Sequence, residues 1–136
     1  MKSKKQSPPP DPIEYRLVVG RRYDEIARKE VVDVILLTAK EFRNFRYNLV
    51  VKESVSGGTV RFVIEGLQTP QPALPGAGPA EFRRTFRTFP ESLKIVVSKL
   101  DGTENEFDLK FRSNGIEVLA APRDPFIELS TDLATS

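Results

Sequence analysis

Residues 92–121 read SLKIVVSKLDGTENEFDLKFRSNGIEVLAA, and the way this stretch folds back on itself decides the fold class. Two glycine-bearing turns divide it into three runs in which apolar and polar side chains alternate, the period of a half-buried strand. Asp101-Gly102 marks the first turn. A two-residue loop there sets Val97 against Glu106 and Ile95 against Asp108, which is wrong for both. A three-residue loop, Leu100-Asp101-Gly102, puts Gly102 at the left-handed position of a bulge. Ile95 then faces Phe107, Leu93 faces Leu109 and Lys94 faces Asp108, so apolar meets apolar and opposite charges meet outside. Asn114-Gly115 marks the second turn, since both residues tolerate the positive φ of a type I′ turn. It pairs Ser113 with Ile116, Arg112 with Glu117 and Phe111 with Val118. Leu109, Phe111, Val118 and Ala120 share the inner face. A slip of one residue would turn all of them outward. The stretch reads as a three-stranded meander with Ile95, Phe107 and Val118 inside.

Working outward, strand-like runs fall near 13–20, 31–39, 44–53, 59–66 and 81–88, before those at 92–99, 104–112 and 116–121. Gly57-Gly58 predicts a hairpin with two competing registers. A two-residue turn pairs Val51 with Ile64 and Val55 with Val60 but leaves Glu53 opposite Phe62; a three-residue loop pairs Glu53 with Arg61 but opposes Lys52 to Phe62. The stretch 24–42 is ambiguous. Asp24 to Glu30 holds helix formers behind an acidic start, which predicts a short helix or turn. The β-branched Val31, Val32, Val34 and Ile35 favour a strand buried on both faces. One continuous helix over 24–42 is the alternative.

Seven or eight short strands separated by turn signals predict an all-β fold, an antiparallel two-sheet β-sandwich of immunoglobulin-like or fibronectin-III-like layering. A small β-barrel is the runner-up. The Cys and Trp marks of an antibody domain are absent. Residues 1–12 form a basic, proline-rich tail, 13–122 the sandwich, and 123–136 a C-terminal segment.

Composition narrows function by exclusion. The net charge of +2 comes from 21 basic and 19 acidic residues; setting aside Lys2, Lys4, Lys5 and Asp11 in the tail leaves 18 of each, a neutral body. A neutral body argues against a long-range field that steers nucleic acid or membrane onto the domain. The chain has no cysteine and no histidine. Disulfides, thiolate or histidine metal sites, and Ser-His or Cys-His nucleophiles are thereby excluded. No nucleotide-binding or hydrolase motif is present, so no catalytic residue, metal or cofactor is assigned and the chain is read as a non-enzyme. Lys2-Ser3-Lys4-Lys5 runs into Pro8-Pro9-Pro10 without the apolar stretch of a signal peptide, and no run spans a membrane. A cytoplasmic protein is expected.

Four features compete for a functional role. Asp101, Glu104, Glu106 and Asp108 form an acidic hairpin that can attract calcium, but they spread along one strand rather than converge, and a solvated outer face is the favoured reading. Arg83, Arg84 and Arg87 interleave with Phe82, Phe86 and Phe89, and Arg43 with Arg46 lies among Phe42, Phe45 and Tyr47. These arginines are candidate anion sites; strand-edge protection is the plainer reading. Leu67–Ala80 is long and irregular, with Pro70, Pro72, Pro75 and Pro79. Pro72, Leu74 and Pro75 make a PxxP-like peptide that a groove can accept, or simply part of a crossover between sheets. Phe126, Ile127 and Leu129 give the C-terminal segment apolar content, either as a last edge strand of its own sheet, the favoured reading, or as an addition to a neighbour's. The leading functional expectation is a module that binds a protein partner, or itself, through Pro72, Leu74, Pro75, Phe126, Ile127 and Leu129. The alternative is nucleic-acid or anionic-surface binding by the arginines and the lysine tail.

Overall fold

The computed structural model describes residues 13–69, 75–113 and 115–131. Among them are nine strands and no helix: β1 (Tyr15–Asp24), β2 (Lys29–Phe42), β3 (Asn48–Ser56), β4 (Thr59–Gln68), β5 (Gly78–Phe86), β6 (Ser92–Lys99), β7 (Glu104–Arg112), β8 (Gly115–Ala120) and β9 (Ile127–Ser130). They form one mixed sheet in the order β9-β1-β2-β5-β3-β4-β6-β7-β8, curled into a half-barrel. This corrects the expected pair of antiparallel sheets. Three neighbour pairs are parallel: β9 with β1, β5 with β3, and β4 with β6. The cause is the route after β4. The chain crosses to place β5 between β2 and β3, then returns β6 to the edge of β4 that β3 leaves free.

Of the short helix or turn expected over 24–30, the turn forms, between Asp24 and Lys29. The Asp24 carboxylate accepts the amides of Ile26 and Ala27 at 2.9 and 3.2 Å, and its carbonyl accepts that of Arg28 at 2.7 Å. Arg28 itself takes the left-handed conformation, φ 57°. The acidic start thus caps a turn, because the β-branched run behind it pairs with β1 on one side and β5 on the other. Val31 to Leu36 are all buried, as expected for a strand covered on both faces.

The first hairpin of the meander has the register derived from its turn: Leu93 opposite Leu109, Lys94 opposite Asp108, Ile95 opposite Phe107, with Gly102 at φ 92°. The second differs by two residues. Arg112 pairs with Gly115, Phe111 with Ile116 and Leu109 with Val118, and a bulge then sets Asp108 opposite Ala120. A shift of two keeps each side chain on its expected face, and Arg112 still bonds Glu117. Asn114 lies outside the described residues. Ile95 and Phe107 are buried, but Val118 is 41% exposed, contrary to expectation, and Ala120 is exposed as well. β8 is the outermost strand, and its inner face runs past the edge of the core.

The Gly57-Gly58 hairpin adopts the two-residue register, with Glu53 opposite the fully buried Phe62. Arg84 of β5 resolves the conflict by donating its Nε to both Glu53 oxygens at 2.9 Å.

A bulge interrupts the β2–β5 ladder between Leu37 and Glu41, with Pro79 opposite Glu41. Proline tolerates such a break because it has no amide to pair. The buried Thr38 hydroxyl oxygen accepts the Ala80 amide there at 2.8 Å. One core joins the halves of the curl, from Leu17, Val19, Val34 and Leu36 to Phe62, Ile95, Phe107 and Leu109.

Candidate functional site

The C-terminal segment is tied into the sheet. β9 runs parallel to β1, with Ile127 opposite Tyr15 and Leu129 opposite Leu17. The Phe126 carbonyl accepts the amides of Glu14 and Tyr15 at 2.8 and 3.2 Å. From the far end of the sheet, Asn105 of β7 offers its side-chain oxygen to the amides of Phe126 and Ile127 at 2.9 and 3.2 Å. Lys99 bonds Glu14 at 2.8 Å and sits over the Phe126 ring at 4.6 Å. The bond to Glu14 raises the Lys99 pKa, outweighing the cost of partial burial. These contacts close the curl where no ladder does. Phe126 and Ile127 are 4% and 1% exposed, and Leu129 is half-buried against the same core. The first two are spent on the protein's own interior and offer no surface to a partner.

Pro72 and Leu74 lie outside the described residues. Pro75 forms an isolated antiparallel bridge with Phe45 and is exposed.

The arginines divide. Arg84 is held by Glu53, and Arg83 lies 3.3 Å from Glu81. Arg84 also lies on the face of Phe82 and Phe86, its guanidinium 4.4 Å from the Phe86 ring centre. Arg43, Arg46, Arg83 and Arg87 are exposed. The structure brings one member of each patch together: Arg46 and Arg83 line a polar cleft of about 400 Å³ with Tyr47, Asn48, Pro79 and Glu81.

The acidic hairpin is dispersed, and three of its four carboxylates have separate partners. Asp101 accepts the Thr103 amide at 2.9 Å, Glu104 bonds Ser98 at 2.9 Å and Arg61 at 2.5 Å, and Glu106 lies 3.6 Å from Lys94. The Ser98 and Arg61 bonds lower the Glu104 pKa, and the Thr103 bonds lower that of Asp101. No group of three potential ligands converges on a metal position among the described residues. No helix among them is long and apolar enough to cross a membrane.

Sequence reasoning passed over two features. Asp33 is a carboxylate 2% exposed on β2, bonded by Thr85 at 2.6 Å and by Arg22 at 2.6 Å. Burial pushes its pKa up, and the two hydrogen bonds with the Arg22 charge pull it below the ordinary value. The other is β8. As the last strand of the sheet it has a neighbour on one side only among the described residues. Val118 shows 41% of its surface and Leu119, the extra residue of the bulge, 51%. Leu119 also borders a shallow groove of about 340 Å³ with Gly58, Thr59, Leu93 and Lys94. The only charge on the strand, Glu117, is taken by Arg112.

What the geometry defines is an all-β module with an apolar sheet edge that is unpaired among the described residues. Comparison with protein-family models, curated proteins and solved structures finds no match.

Proposed function

We propose that this chain is a non-enzymatic β module that joins a larger assembly by adding an extended segment of a protein partner to the free edge of β8. The carrying observation is the character of that edge. Exposed edges are ordinarily blunted by short length, unpaired charge, proline or a bulge that twists them away. β9, at the other end, carries Glu128, which no ion pair engages among the described residues. β8 is six residues long, has no proline, and its one carboxylate is neutralised within the sheet. Its bulge falls at Leu119, between the Leu109–Val118 and Asp108–Ala120 pairs, and turns that side chain out while Gly115 to Val118 keep a regular register. Strand addition supplies backbone hydrogen bonds for affinity and pockets for alternate side chains for specificity. Exposed Val118 and Leu119 would pack against the side chains of the added strand.

This reading replaces Phe126 and Ile127 as contact residues with Val118 and Leu119. The test is capture from an extract of the source cells with the full chain and with Leu119→Lys, together with light scattering over a concentration series. A partner retained by the parent and lost by Leu119→Lys supports the proposal. A monomer that retains the same proteins in both forms, or none in either, refutes it.

A further inference from the structure

Arg46 is a guanidinium that the fold positions without a counter-ion among the described residues. Its side chain lies across a shelf made by two glycines. A Cβ at Gly76 would stand 2.8 Å from Arg46 Cγ, and one at Gly78 would stand 3.6 Å from an Arg46 terminal nitrogen. Gly78 also has φ +143°, a conformation that side-chain-bearing residues rarely adopt. Gly76 is held against this part of the chain by its amide, which donates to the Asn44 carbonyl at 3.2 Å. Both glycines therefore shape the bed in which Arg46 rests.

The cleft in front of it sits at the weakest seam of the sheet. β3 and β5 pair at Asn48 and Glu81 alone, and Arg84 bonds Glu53 farther along. Tyr47 and Pro79 give the cleft apolar surface, Asn48 an amide, and Arg83 a second guanidinium already shared with Glu81. With two guanidinium groups and one carboxylate, the site carries a single net positive charge. No ion pair engages Arg46 among the described residues.

We propose that the Arg46–Arg83 cleft binds the carboxylate of a peptide, with Arg46 as the principal donor. A planar guanidinium matches a carboxylate through two parallel hydrogen bonds. One net charge balances a carboxylate, whereas a phosphate dianion would leave excess negative charge beside Glu81. A nucleic-acid strand requires a row of free cations, and Glu53 and Glu81 already occupy Arg84 and Arg83. The carboxylate belongs to an acidic side chain or to a chain terminus; the chemistry is the same. This site is distinct from the β8 edge, and the test below uses isolated peptides, so neither result depends on the other.

The experiment is an NMR titration of the full chain with four probes. They are a short acetylated and amidated alanine peptide with one central glutamate, its glutamine counterpart, an alanine peptide with a free C-terminal carboxylate, and a short uridine oligonucleotide. Saturable shifts at Tyr47, Asn48 and the Arg46 Nε–H with either carboxylate probe, and not with the glutamine peptide, support the proposal; which probe binds more tightly identifies the carboxylate's source. Arg46→Gln should weaken that binding about tenfold or more. Gly76→Ala, which retains the charge but crowds its bed, should weaken it too, while amides away from the cleft stay unshifted. Equal response to the glutamate and glutamine peptides, unchanged affinity in Arg46→Gln, or tighter binding of the oligonucleotide would overturn it.

Discussion

Asn105 carries more of the fold than its size suggests. It is 3% exposed, and its single side-chain oxygen satisfies two buried amides at the entrance to β9. Asn105→Leu fills a similar volume but supplies no acceptor. Leaving two buried donors without partners costs about 2–4 kcal/mol. The denaturation midpoint should fall accordingly, and amide exchange in Ile127–Ser130 should accelerate first. Unchanged exchange there would show that β9 is held by its ladder to β1 alone. Asp33 gives a second prediction at this scale. Its folded pKa lies below the unfolded value of about 3.9. The stability it contributes is therefore present above that pH and is lost as pH falls through the folded value. Stability of the parent should drop more steeply below about pH 4 than that of Asp33→Asn. Parallel profiles from acid denaturation at stepped pH would contradict this.

Among elements, the hairpins show what local chemistry decides and what it leaves open. The β6–β7 register was legible because turn residue, charge pairing and apolar phase all lie within one short stretch and agree. At Gly57-Gly58 they disagreed, since Glu53 opposite Phe62 looks costly until Arg84 is present, and Arg84 lies 31 residues away. Removing Arg84 should therefore expose the conflict. Arg84→Ala leaves the Glu53 carboxylate beside Phe62 and should destabilise by about 1–2 kcal/mol. Adding Glu53→Gln should restore part of the loss, read as a coupling energy in a double-mutant cycle. Strict additivity would show that the pair is not coupled. Exposure of β8 was illegible for a related reason. Alternation identified the face of Val118, but whether that face is covered depends on where the curl ends. The apolar content of Phe126-Ile127 was likewise visible, while its burial depends on Asn105, a polar residue in a strand with no local sign of its role.

For the whole molecule, the strand content followed from local periodicity and the topology did not. Parallel pairing of β4 with β6 and of β9 with β1 joins segments whose sequences carry no mark of each other. The same topology decides which surfaces remain available. It buries the apolar C-terminal segment, divides the arginines between ion pairs and one cleft, and leaves β8 as the apolar edge. The claim that β8 is the docking edge is tested most directly by amide hydrogen exchange over Gly115–Ala120, in the isolated chain and in the complex it forms. The account predicts that alternate amides of this strand exchange freely in isolation and become protected when the partner binds. Full protection in the isolated chain, or no change on complex formation, would contradict it.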